Sequence, residues 1–172
     1  MTSIRSLIAC CLILFAFGVV VSPQDKSATG TAQDTALTVG GDVEHPLKLT
    51  AAELAKLPRQ TVRAKDHSGK EAAYEGVALV EILRLAGVPF GEAMRGKNLG
   101  LYLIVEAADG YRAVFALPEL DPAFTDRVIL LADHKDGNPL ATSEGPSRIV
   151  VPNEKRQARW VRQVRSLIIR RA

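Results

Sequence analysis

The chain has almost no cysteine. Its only two, Cys10 and Cys11, stand inside one apolar run near the N-terminus, "LIACCLILFAFGVVV" from Leu7 to Val21. From residue 22 onward there is no disulfide, no thiol nucleophile and no thiolate to hold a soft metal. Aromatic residues make up 5% of the sequence, too few for the stacking platforms of single-strand binders, so nucleic acid is not an expected partner. The three histidines, His45, His67 and His134, are far apart and lack any short ligand spacing such as H-x-x-x-H, so no metal site is expected. A nucleophile elbow, a P-loop and the glycine pattern of a dinucleotide fold are also missing.

What is present begins with the leader. Arg5 precedes the apolar run, and the small polar stretch "SPQDKSATGTAQDTA" (Ser22 to Ala36) follows it. That layout predicts a secretory signal peptide and a tether. The run falls short of the roughly 20 apolar residues of a spanning helix, with a retained N-terminal anchor as the alternative. Ala16-Phe17-Gly18 and Gly30-Thr31-Ala32 both offer small residues for cleavage. The expected division is residues 1–32 as signal peptide and tether, and residues 33–172 as one domain, periplasmic or secreted.

Charge is split along that domain. From Gln33 to Ser147 there are twelve basic and seventeen acidic residues; from Arg148 to the end, eight basic residues face a single acid, Glu154. A basic end suits a small anion, an acidic partner protein or anionic lipid.

Periodicity predicts an α+β fold that is mostly β. "LTVGGDV", "LKLT", "QTVRAKD", "LGLYLIVEA", "YRAVFAL", "RVILLADHK", "SRIVVP" and "VRSLIIR" read as strands. Thr50 and Glu53 have capping-box spacing for a short helix that Pro58 stops. Apolar residues from Leu79 to Ala86 predict a two-turn helix starting near Val77 and ended by Gly87 and Pro89. Ala108-Asp109-Gly110 predicts a hairpin turn. The helices are too few to cover both faces of a parallel doubly wound sheet.

In this order the pieces resemble the molybdopterin-binding oxidoreductase domain of the sulfite oxidase family. The likeness is carried by "LTVGGDVEHPLKLTAAELAKLP", "YEGVALVEILRLAGV", the Asp109-Gly110-Tyr111 triplet, "LLADHKDGNPL" and "EGPSRIVVPNEKRQARWVRQVRSLIIR", and spans about Leu37 to Arg170. It implies that family's fold and a molybdopterin cofactor. In the family a cysteine on the strand after Leu-Pro binds molybdenum beside the pterin dithiolene. The matching strand here is Thr61 to Asp66, with Ala64 or Asp66 in that place. Neither a methyl nor a carboxylate reproduces a soft thiolate, so catalysis at molybdenum does not carry over.

Candidate ligand-binding residues follow from both readings. Asp66 and His67 form either a polar pair holding an anion or a turn whose side chains bond their own backbone. Asp109, Tyr111 and Arg112 sit at the hairpin turn, which the resemblance implies borders the pterin. Arg148, Lys155, Arg156 and Arg159 fall at a strand end and the loop beyond, where guanidinium forks and backbone N–H groups grip phosphates or carboxylates. The resemblance implies that this segment holds the pterin phosphate. The competing reading is a solvated basic surface, or ion pairs to the acidic remainder. Trp160 reads as core or as cover for the loop.

Two functions are expected. One is an exported, redox-associated protein that keeps a molybdopterin in its cleft. The other is a non-catalytic periplasmic module that uses the cleft for another small anion or a protein partner. A weaker third has the basic end docking on membrane or on an acidic redox protein.

Overall fold

Alternation of apolar and polar residues builds the first of two sheets, and more continuous buried runs build the centre of the second. The structure, a computed structural model, describes residues 35–172; the predicted leader, its cleavage positions and the tether up to residue 34 lie outside them. The first sheet contains β1 (Thr35–Gly41), β2 (Leu47–Thr50), β5 (Leu101–Ala107), β6 (Arg112–Ala116) and β10 (Val164–Arg171), in the order β2-β1-β10-β5-β6. The second runs β3 (Arg59–Lys65), β4 (Glu71–Ala78), β7 (Leu130–Lys135), β8 (Asn138–Pro139), with β9 (Arg148–Val150) also pairing to β7.

The period-2 pattern places Leu37, Val39, Leu101, Leu103, Val105, Leu167 and Ile169 on the buried face of the first sheet. β1 and β10, from opposite ends of the described chain, pair in parallel, Thr38 opposite Ser166. All other ladders are antiparallel. In the second sheet Gly76 sits where the β4–β7 register shifts. A Cβ there would lie 2.1 Å from the Leu131 carbonyl oxygen, so only glycine lets the two backbones approach.

Both short helices form as their local signals predict. α1 (Ala51–Leu54) starts from a complete capping box: Thr50 Oγ1 accepts from Glu53 N–H, and the Glu53 carboxylate accepts from Thr50 N–H. α2 (Leu79–Leu85) ends at Gly87, φ 77°, with Val88 N–H donating to Leu83 C=O and Gly87 N–H to Arg84 C=O. That is a Schellman motif. The predicted start near Val77 is two residues early. Val77 and Ala78 pair with Leu131 and Leu130 of β7, and ladder formation keeps them extended. Two 3-10 turns, Gly91–Ala93 and Gly96–Gly100, have no counterpart among the predicted elements. The fold class stands as predicted, α+β and mostly β. Among the described residues no helix is long and apolar enough to cross a membrane.

Candidate functional site

Where the β3–β4 turn faces the loop after β9, the surface opens into a cleft of about 910 Å³. One wall is Arg63, Ala64, Lys65, Asp66 and His67; the other is Asn153, Glu154, Lys155, Arg156 and Gln157, with Trp160 between them. Gln157 Nε2 donates to the Lys65 carbonyl oxygen and ties the walls together. Lys65, Lys155 and Arg156 are exposed, and none of their side chains has an ion-pair partner among the described residues. The rim is therefore cationic and open to an anion.

The floor has a different chemistry. Ala64 is buried and presents only a methyl group. Asp66 is engaged on every side: Oδ1 accepts from Ser68 Oγ at 2.5 Å, Ser68 N–H at 2.9 Å and Lys70 N–H at 3.1 Å, and Oδ2 from Lys135 Nζ at 3.2 Å. The Ser68 hydroxyl first, then Lys135 and the two backbone donors, hold its carboxyl well below the usual range. Asp66 thus organises the turn as an anion and has little capacity left for a ligand. His67 is exposed on the rim.

Behind the floor lies a buried polar layer. Tyr74 meets Trp160 edge-on, with centroids 5.5 Å apart. Arg148 stacks over Trp160 at 5.2 Å and Tyr74 at 5.8 Å. The Tyr74 hydroxyl and Arg148 Nε are buried and have no hydrogen-bond partner among the described residues. Burial raises the Tyr74 hydroxyl above its ordinary pKa against the opposing pull of Lys135 and Arg148.

The sequence-derived set is therefore only partly brought together. Asp66, His67, Lys155 and Arg156 line the cleft. Arg148 does not: its guanidinium is buried and pairs with Glu144 at 2.5 Å, so the reading as an open phosphate grip is corrected to a structural ion pair. Arg159 also turns inward, to Glu154 at 2.5 Å and Glu119 at 3.0 Å, with its guanidinium 4.5 Å from the Phe115 ring centroid. Burial opposes its charge, but those two carboxylates prevail and raise its pKa. Arg112 pairs with Glu106 on the first sheet.

Asp109 and Tyr111 lie in a neighbouring hollow of about 270 Å³ that shares Gln157 and Trp160 with the cleft. Asp109 Oδ1 accepts from Tyr111 N–H, and the Tyr111 hydroxyl donates to Ala158 C=O at 2.7 Å, so this hairpin braces the loop from outside. Sequence reasoning missed Lys65, Gln157 and Lys135. Strand alternation marks Lys65 as outward-facing, but no local signal joins Gln157 to a carbonyl 92 positions away.

Two antiparallel-rich sheets, with a cationic cleft beside β3 of the second, set this chain apart from a doubly wound nucleotide fold. The chain belongs to the oxidoreductase molybdopterin binding domain family, whose model matches residues 24–172. Among solved structures it is similar to the sulfane dehydrogenase SoxCD from Paracoccus pantotrophus, with a TM-score of 0.63 and 27% identity. That match covers 80% of this chain and 38% of the SoxCD chain, so the protein spans well under half of that relative. No curated protein matches in sequence.

The residues present fit part of the family's cofactor. Lys65, Lys155, Arg156 and Gln157 supply donors for phosphate and pterin oxygens in a cleft of sufficient volume. They do not fit the metal. From residue 22 onward there is no cysteine to supply a thiolate, and among the described residues no three of His, Cys, Asp and Glu gather.

Proposed function

We propose that this is an exported, redox-associated member of the molybdopterin-binding family whose cleft takes an anionic ligand of the pterin-phosphate class. Lys155 and Arg156 bind the phosphate, Gln157 and Lys65 fix the loop around it, and the site does no thiolate-supported chemistry at molybdenum. The observation that carries the reading is one cleft with unpaired cations at its rim and a methyl group, Ala64, on its floor. Export rests on the leader pattern from Leu7 to Val21.

Protein purified from its native source tests this by pterin fluorescence and metal analysis. A pterin without stoichiometric molybdenum is expected; stoichiometric molybdenum with oxidase activity overturns the reading. Lys155→Glu and Arg156→Glu should each weaken ligand retention about tenfold, the effect of losing one charge-assisted hydrogen bond. The saturated hydrogen bonding of Asp66 favours a second reading, a non-catalytic module for another small anion or a protein partner. Native protein that carries no pterin selects it.

A further inference from the structure

The wall of the cleft formed by β3 is also an edge of the second sheet, because among the described residues β3 pairs only with β4. Three observations fix which backbone groups point outward from that edge. Asp66 N–H donates to Lys70 C=O, so Asp66 and every second residue before it turn their amides toward β4. Ala73, the partner of Arg63 in register, uses both its N–H and its C=O on Asp136, away from β3. The Lys65 C=O accepts a side-chain hydrogen bond from Gln157 across the cleft. Thr61, Arg63 and Lys65 therefore aim their amides into the open, and among the described residues nothing bonds the Thr61 or Arg63 backbone.

An open edge attracts other strands, and most proteins blunt it with charge. Here the free charge along the groove is positive, because the acids that line it are already paired. Arg63 and Lys65 lie on the edge and Lys155 and Arg156 on the wall opposite; Glu71, at 3.3 Å from Arg63, is the one exposed acid among the lining residues. Glu154 is committed to Arg159. The positive edge repels a second copy of itself and selects a negative strand.

We propose that β3 is a docking edge for an extended acidic peptide segment of a partner protein, which adds as a further strand opposite Thr61 to Lys65. Its backbone pairs with the Thr61 and Arg63 amides, and its carboxylates reach Lys65, Lys155 and Arg156. Gln157 already occupies one position of that ladder, at the closed end of the groove. The mode is strand addition, in which main-chain bonds supply affinity and flanking charges supply selection. It does not rest on the pterin reading, which needs the cations but not the backbone groups of β3.

The test titrates a fluorescein-labelled peptide of alternating Glu and Val onto the full domain. The same peptide with alternate amides N-methylated, a Lys-Val peptide and inorganic tripolyphosphate serve as comparisons. Among the peptides, binding of the first alone is expected, with slowed hydrogen exchange at the Thr61 and Arg63 amides, whether or not tripolyphosphate competes for the cations. Arg63→Pro removes one outward N–H without breaking a β4 bond and should weaken binding about fivefold beyond Arg63→Ala. Equal binding of the N-methylated peptide, or unaltered exchange at those two amides, overturns strand addition. Tripolyphosphate binding with no peptide binding overturns it too, while leaving the anion reading intact.

Discussion

At the scale of single residues, the decisive fact is where each cation spends its charge. Arg148 spends its charge inside the fold, on Glu144. Removing it with Arg148→Ala strands Glu144 and strips a cation from the faces of Tyr74 and Trp160. A loss of about 3 kcal/mol is expected, measured by urea denaturation. Arg148→Met combined with Glu144→Gln should recover most of it, since no unpaired charge then remains. The network around Asp133 predicts the acid limb of stability. Burial raises that carboxyl, but hydrogen bonds from Arg59 and His134 outweigh it and hold the group below its ordinary value. A depressed carboxyl stabilises the fold above its unfolded pKa, near 3.8, and loses that contribution as pH falls through the lower folded value. Stability should therefore decline from about pH 4 downward, and Asp133→Asn should make the decline shallower in thermal melts.

At the scale of elements, the features legible in the sequence are those encoded within a few residues. The Thr50 capping box, the Gly87 helix stop and the hairpin at Asp109-Gly110 all form as their spacing predicts. For Arg148 and Arg159 the sequence leaves a phosphate grip and an ion pair both open, because charge alone does not reveal a carboxylate brought to it by folding. Glu119 precedes Arg159 by forty positions, and only the packing of the β6 end against the loop unites them. The cleft was legible as residue types on its rim, Lys155 and Arg156, but not as a pairing of β3 with a loop ninety residues on. Register is where a small change acts most strongly. Gly76→Ala forces a methyl into the Leu131 carbonyl and should separate β4 from β7. A cost above about 3 kcal/mol is expected, or failure to fold, as read by the yield of soluble protein and its unfolding midpoint.

At the scale of the whole molecule, one strand organises the first sheet. β10 lies between β1 and β5 and carries the buried Val164, Leu167 and Ile169. A chain ending at Val161 should show no cooperative unfolding transition by circular dichroism, because among the described residues β10 is the strand that joins β1 and β2 to β5 and β6. The parallel pairing of β1 with β10 reaches further than stability. Without β10, the only strand paired with β1 among the described residues is β2. Strand order thus sets when the first sheet can close: β1 and β2 gain their hydrogen-bonded link to β5 and β6 only once β10 pairs between them, a contact between the two ends of the described chain and therefore a slow one to form.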